Sequence, residues 1–335
     1  MSKNWLFRLI ACGVPAIIGL VVITYFAIKK EWLVIKESGE VTVQAPPLYV
    51  QEPGHEQTGH KYLYDPQLGW RNIANWNAST FGQELVTNSK NLRDREYEFA
   101  KPDDGKRILV LGDSFAWGYG VANNDIFTEV LETRFARDQM PVEVINTGVS
   151  GWGTDQQYLF FANEGIKYTP DIVVLAFYLG NDPINCTRSI QYGLHKPVFI
   201  DLKLSLANVP VPKPSATDAK RIDSKVERHT LAVRIIEELA KKCKSIQAEL
   251  VVMKFGVFQS PNHPAVRQAN LDFERKLQRI QAQLHYLDLD AEFQKQGLSF
   301  TQLTEGVDDG HWNAFGHRMV ADILRQFLSV KSLVR

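Results

Sequence analysis

Four short polar segments between residues 112 and 313 of this 335-residue chain hold side chains suited to acyl transfer. The first is Gly112-Asp113-Ser114-Phe115, between an apolar run and a helical stretch. A serine on such a tight turn exposes its hydroxyl and turns its own N–H into the same space, which is a nucleophile's position. Gly, Asp and Ser are also ordinary turn formers, so the block alone decides little. The second segment runs Asn146-Thr147-Gly148-Val149-Ser150-Gly151-Trp152-Gly153-Thr154. Its glycines let a backbone N–H approach a ligand, although a plain loop capped by Thr154 or Asp155 reads equally well. The third, Gly180-Asn181-Asp182-Pro183, offers an amide donor that could complete an oxyanion hole, or a simple Asx-turn. The fourth is Asp308-Asp309-Gly310-His311-Trp312-Asn313. Its histidine has carboxylates two and three residues upstream that can fix the tautomer and stabilise the imidazolium, as a base that activates serine requires.

Elements that would position these segments are legible in the apolar pattern. RILVL (107–111), VEVINT (142–147), DIVVLAFYL (171–179) and ELVVMKF (249–255) are short, nearly continuous apolar runs, and HYLDL (285–289) is a weaker fifth. Parallel strands buried on both faces need such runs. Helical stretches are expected at about 124–138, 154–166, 225–247, 266–284 and 314–330. Strands separated by helices imply right-handed crossovers and a parallel sheet covered on both faces, with the site at the carboxyl ends of the strands.

Composition narrows the class. With 38 Lys+Arg against 38 Asp+Glu the chain lacks the basic excess of a nucleic-acid binder, and three cysteines are too few for a disulfide scaffold. The neutral total conceals a local imbalance. The first 36 residues carry Lys3, Arg8, Lys29, Lys30 and Lys36 against Glu31 alone, so the remainder is faintly acidic and suits an uncharged ester better than a polyanion. Leu9 to Ile28 is uncharged and long enough, at about 1.5 Å per residue, to cross the hydrocarbon core as one transmembrane helix. A cleaved signal peptide would have a shorter apolar region and a small-x-small site, whereas Lys29-Lys30-Glu31-Trp32 follows directly here. Lysines and arginines flank both ends, so orientation does not follow from their count.

The expected organisation is an anchor with flanks over 1–36, a juxtamembrane spacer over 37–60, a leader over 61–105 that packs on the main domain, and a catalytic domain over 106–335. His55 and His60 in the spacer lack the partner pattern of a metal site. An insertion at about 186–220 contains a hairpin candidate, KPVFIDLKLSLANVPVP, that would either bind substrate or cover an apolar face. Cys186 and Cys243 could form a bridge if the domain lies outside the cytoplasm, while Cys12 falls inside the apolar span.

In this order the four polar segments resemble the SGNH hydrolase family, also called GDSL esterases, over about residues 106–330. The resemblance implies a three-layer α/β/α flavodoxin-like fold with a central parallel five-stranded sheet, here preceded by one transmembrane helix. It implies Ser114 as nucleophile, His311 as base, and Ser114, Gly151 and Asn181 as oxyanion donors, with no cofactor and no metal. The family's usual spacing selects Asp308 to orient His311, whereas the Asp-x-His-Trp run of alginate-acetylating relatives selects Asp309, the closer likeness. Tyr-Asp-Pro-Gln-Leu-Gly-Trp-Arg and Asn-Leu-Arg-Asp-Arg-Glu-Tyr within 61–100 resemble the leader of a bacterial, membrane-anchored branch. The expected function is a membrane-anchored serine esterase that removes O-acyl groups, acetyl among them, from a glycan or another ester. An O-acyltransferase acting on an extracellular polysaccharide and a non-catalytic glycan-binding module are the alternatives. The expected partners are an acylated glycan or other ester and the membrane, with no nucleic acid. The catalytic domain is expected on the periplasmic or extracellular side.

Overall fold

The computed structural model describes residues 62–334 except 81, 217, 218, 259–261, 308 and 309, together with the strand segments 33–35, 41–43 and 50–51. The chain divides into two units, residues 1–49 with 192–194 and residues 50–191 with 195–335. Within the first, Leu33–Ile35 pairs antiparallel with Val41–Val43. The expected span 9–28, with Cys12, and the spacer residues His55 and His60 lie outside the described residues. Among the described residues no helix is long and apolar enough to cross a membrane.

The second unit is built on five parallel strands: β1 (Lys106–Leu111), β2 (Val142–Asn146), β3 (Ile172–Tyr178), β4 (Glu249–Phe255) and β5 (His285–Asp288), in the spatial order β5-β4-β3-β1-β2. Ile172 of β3 stands opposite Ile108 on one side and Glu249 on the other, and Ile108 opposite Val144. Ile108–Leu111 and Val173–Phe177 have no solvent exposure, which is why their sequences are apolar without alternation. The helices are α1 (Ser114–Trp117), α2 (Phe127–Arg137), α3 (Thr154–Asn163), α4 (Asp182–Asn185), α5 (Arg228–Ser245), α6 (Pro264–Leu277), α7 (Leu289–Lys295), α8 (Phe300–Thr304) and α9 (Ala314–Val330). On one face Val110, Val174 and Met253 pack with Phe127 and Leu131 of α2 and with Val320 and Leu324 of α9. On the other, α5 packs on α3 and α6, and Phe177 stacks on Phe273 of α6 at 4.5 Å between centroids. Each such buried aliphatic or aromatic side chain contributes roughly 1.5–3 kcal/mol over leaving it in water. The result is the expected α/β/α arrangement, with the strand order reversing between β1 and β3.

The sheet edge at β2 is closed by side chains. Asn146 N–H donates to Asp94 Oδ2 (2.7 Å), Val144 N–H to Glu132 Oε2 (2.6 Å), and Tyr97 Oη donates to Val144 O (3.1 Å). Edge groups engaged in this way do not template another strand. The leader preceding Asp94 folds into two antiparallel pairs, Tyr62–Asp65 with Gly69–Asn72 and Asn77–Thr80 with Gln83–Val86.

In the insertion, Val198–Phe199 pairs antiparallel with Leu206–Ala207. Fully buried Lys196 forms an ion pair with Asp155 in the first turn of α3, Phe199 meets Tyr158 at 6.1 Å, and Arg234 Nε donates to Leu202 O at 3.1 Å. These contacts lay the segment over α3 and α5. Cys186 and Cys243 are both buried free thiols, so no bridge joins them. Burial pushes the Cys243 thiol up to about 12.

Candidate active site

β1 runs straight into the nucleophile turn. Asp113 caps α1, its Oδ1 accepting the Phe115 N–H at 3.0 Å, and Ser114 is the first residue of that helix. Gly118 closes the helix in the left-handed conformation, its N–H donating to Ser114 O. The loop after β2 lies directly against this turn. Gly148 comes so near that a Cβ there would stand 2.5 Å from the Trp117 backbone nitrogen, closer than real contacts allow, so only glycine fits. Val149 N–H donates to Gly112 O at 3.3 Å and Asn146 Nδ2 to Ala116 O at 2.8 Å, which joins the two loops. The Gly151 N–H, farther along, has no acceptor among the described residues.

Ser114 and His311 are brought together across almost the whole domain. His311 Nε2 lies 2.8 Å from Ser114 Oγ, a hydrogen bond through which the imidazole can take the hydroxyl proton. The ring is sandwiched by aromatics, Phe115 at 4.6 Å and Tyr119 at 4.4 Å between centroids. Two aromatic faces fix the plane of the ring and favour the imidazolium formed on proton transfer. Asp308 and Asp309 lie outside the described residues.

Asn181 is tied to the same turn. Its Nδ2 donates to Asp113 Oδ2 at 3.0 Å, so one carboxylate holds both the Phe115 N–H and the Asn181 amide. An amide nitrogen carries two hydrogens, and the second remains for another acceptor. Burial pushes the Asp113 carboxyl up to about 6 despite these donors. Asp182, which accepts the Tyr178 N–H at 2.8 Å, is raised well above the usual carboxylate range by burial and then by the Asp113 charge.

The leader supplies supports that the sequence reading missed. Trp117 Nε1 donates to Asn72 Oδ1 at 3.0 Å, and Trp70 Nε1 to Ser150 O at 3.0 Å. Arg93 is fully buried over the Trp117 ring, with Nη1 bonded to the carbonyls of Trp117 (2.9 Å) and Gly118 (2.6 Å) and Nη2 to Val121 O (2.6 Å). Orphan carbonyls at the end of α1 are thus satisfied by a guanidinium. Asp113, Phe115 and Tyr119 were missed for a different reason. They stand in or beside the Gly-Asp-Ser block, but as a turn former and two aromatics they carry no signal until the histidine is placed on them.

The model of the GDSL-like lipase/acylhydrolase family matches residues 110–319. Among solved structures, the chain is similar to the acetyl xylan esterase AlAXEase (15% identity, covering 66% of this chain and 99% of that chain, TM-score 0.45). It is also similar to a lipase/acylhydrolase from Enterococcus faecalis (16%, 68% and 96%, TM-score 0.43). A third is Axe2, an acetylxylan esterase from Geobacillus stearothermophilus (16%, 70% and 99%, TM-score 0.45). No curated protein matches the chain.

Proposed function

Because this chain belongs to the GDSL-like lipase/acylhydrolase family and is a serine hydrolase acting on esters, we propose that it removes O-acyl groups, acetyl among them, from a glycan through an acyl-enzyme on Ser114. The observation that carries this reading is the 2.8 Å contact between His311 Nε2 and Ser114 Oγ. Ser114 Oγ attacks the ester carbonyl as His311 Nε2 accepts its proton. The oxyanion accepts hydrogen bonds from the Ser114 N–H, the Gly151 N–H and the second Asn181 amide hydrogen, each worth on the order of 3 kcal/mol of barrier. Collapse expels the alcohol, which takes the proton back from His311 and leaves the acyl group on Ser114. His311 then deprotonates a water that attacks the acyl carbonyl, and the tetrahedral intermediate releases the acid and restores Ser114. Asp113 holds Asn181 in place throughout, and Asp309, in preference to Asp308, orients the imidazole. Half-buried Tyr119 and Tyr178 flank the turn, and their amphipathic rings suit a sugar's mixed apolar and hydroxyl faces.

Residues 9–28 anchor the enzyme in the membrane, supported by their uncharged length, and the catalytic domain lies outside, as the resemblance to the membrane-anchored branch implies. A reporter fused after Arg335 is expected to be active only outside the cytoplasm. Esterase activity of the full chain on short-chain 4-nitrophenyl esters should fall about 10⁴-fold in Ser114→Ala, leaving only what binding and the oxyanion donors supply. Asp309→Asn should lose far more turnover than Asp308→Asn. Undiminished hydrolysis by Ser114→Ala would sink the acyl-enzyme. Acetyl transfer to an oligosaccharide without hydrolysis would make the acceptor a sugar in place of water.

A further inference from the structure

A cavity of about 210 Å³ opens beside Asn181, at the same edge of the sheet as Ser114. Leu179 and Gly180 at the end of β3, Pro183 and Ile184 of α4, and Val266 of α6 form its walls, with Arg228 at the start of α5 on its rim. Asn181, which the esterase reading places in the oxyanion hole, follows Gly180 directly. The cavity also connects to the nucleophile turn through packed aromatics. Gly256 on its floor lies against Tyr178, and Tyr178 packs on Phe115 at 4.7 Å, the residue after Ser114. Gly180, exposed at the end of β3, borders this space, and the subsite requires a substrate whose carbonyl lies at Ser114 to extend across it. At this size, below the roughly 300–1,000 Å³ that encloses a whole drug-sized ligand, it takes one substituent or one sugar unit.

The chemistry of the lining is one-sided. Among the described residues it includes no aspartate or glutamate, and its titratable groups are Arg228 and His263. Arg228 makes no ion pair or hydrogen bond with a described residue. The neighbouring carboxylate, Glu227, is occupied elsewhere: it caps α5 by accepting the N–H groups of His229 (3.0 Å) and Thr230 (2.9 Å), and Lys276 stands 3.3 Å from it. A guanidinium without an acidic partner among the described residues, at the mouth of a mainly apolar cavity, matches a carboxylate on an otherwise neutral group. We infer that this cavity is a subsite for a carboxylate-bearing part of the ester, held by Arg228. The inference rests on the esterase reading for the site it adjoins. It departs from the expectation of an uncharged substrate, because the faint acidity of the body as a whole does not extend to this lining.

The carboxylate can belong to the acyl group or to the alcohol, and the test has an arm for each. With the full-length chain in detergent, 4-nitrophenyl hemisuccinate is compared with 4-nitrophenyl acetate, and an O-acetylated methyl glucuronoside with the corresponding methyl glucoside. In one arm Arg228→Gln should raise KM for the carboxylated member about tenfold, the size of one solvent-screened charge-assisted contact. The neutral member should stay within about twofold and Arg228→Lys, which keeps the charge but not the planar fork, should restore part of the loss. The arm that responds identifies the side that carries the charge. No selective rise in either arm overturns the subsite. Calorimetric titration with succinate and with methyl glucuronoside gives a readout without turnover. Binding about tenfold weaker in Arg228→Gln supports the subsite even if no ester is hydrolysed, an outcome that would count against the esterase reading alone. Equal binding by both proteins, or none by either, overturns it.

Discussion

Ser114 and His311 meet at 2.8 Å, yet the two are presented by platforms of different construction. The serine is placed by backbone. β1, α1 and the loop after β2 interlock through main-chain hydrogen bonds, with no room for a methyl group at Gly148, and Arg93 and Asn72 brace the turn from behind. The histidine ring is placed by side chains, on a loop tied to α8 by the Asn313 N–H to Leu303 O bond at 2.7 Å. It stands in the loop between α8 and α9, where a Cβ on Gly306 would meet nothing within 4 Å, and its position comes from the Phe115 and Tyr119 rings and from the start of α9. Asn313 caps that helix, its Oδ1 accepting the Gly316 N–H at 2.9 Å. His317, one turn in, anchors it to α2 by accepting the Phe127 N–H on Nδ1 at 3.2 Å. The nucleophile, whose attack direction must be fixed, sits on the stiffer platform. The base is held through contacts to its ring.

This contrast can be broken at either end. The largest effect is expected from a methyl group at the tight contact: Gly148→Ala should destabilise the fold by about 1–3 kcal/mol, as overpacking does. It should also lower kcat by one to two orders of magnitude, because about an ångström of misplacement is enough. The same change at Gly306 should cost only about 1–2 kcal/mol for its left-handed backbone, φ +87°, and leave kcat within about threefold. Thermal unfolding and kinetics on the pair measure both, and equal losses of kcat would erase the distinction between the platforms.

A smaller effect is expected from the rings. Tyr119→Leu removes one face from the imidazolium and should lower kcat about two- to thirtyfold, the range of a cation–π contact, with KM changed less, while Tyr119→Phe should retain most of the activity. Unchanged kcat in the leucine variant would mean that the ring only fills space.

The smallest effect lies in pH dependence. Burial, reinforced by Arg93 and His311, pushes His317 down to about 3 in the folded protein, against an ordinary 6.5. The stability gained from keeping it neutral is full above pH 6.5 and is lost as pH falls from there toward 3. Asp113 acts in the opposite sense. With its carboxyl raised to about 6 from 3.8, its contribution is full below pH 3.8 and is lost as pH rises through 6. Comparison with His317→Gln, whose amide oxygen can still accept the Phe127 N–H, isolates the histidine. The variant should lose less Tm than the parent between pH 7 and pH 5, and parallel curves would contradict the buried neutral imidazole.

The sheet was legible because its strands are buried on both faces, so β1, β3 and β4 read as unbroken apolar runs. β5 read weakly because His285, Tyr286 and Asp288 are only half-buried at the sheet edge. The expected helix over 266–284 is two pieces, α6 and a 3₁₀ segment over Gln278–Gln283. The Ser114 and His311 segments were legible because polar residues that interrupt such runs in a fixed order have few structural uses. Asn72, Trp70 and Arg93 were not, since their value lies in reaching carbonyls and side chains far along the chain, and no local spacing records that. Arg228 was hidden in the same way, as the first residue of an amphipathic helix until the cavity beside it is seen.

The central claim is that Ser114 is the nucleophile and His311 its base. It is tested most directly by reacting the full chain with a 4-nitrophenyl alkylphosphonate and mapping the adduct by peptide mass spectrometry. One phosphonyl group on the peptide containing Ser114 is predicted, formed at least about 10³-fold more slowly in His311→Ala. An adduct on another residue, or labelling of Ser114 at the same rate without His311, would contradict the account.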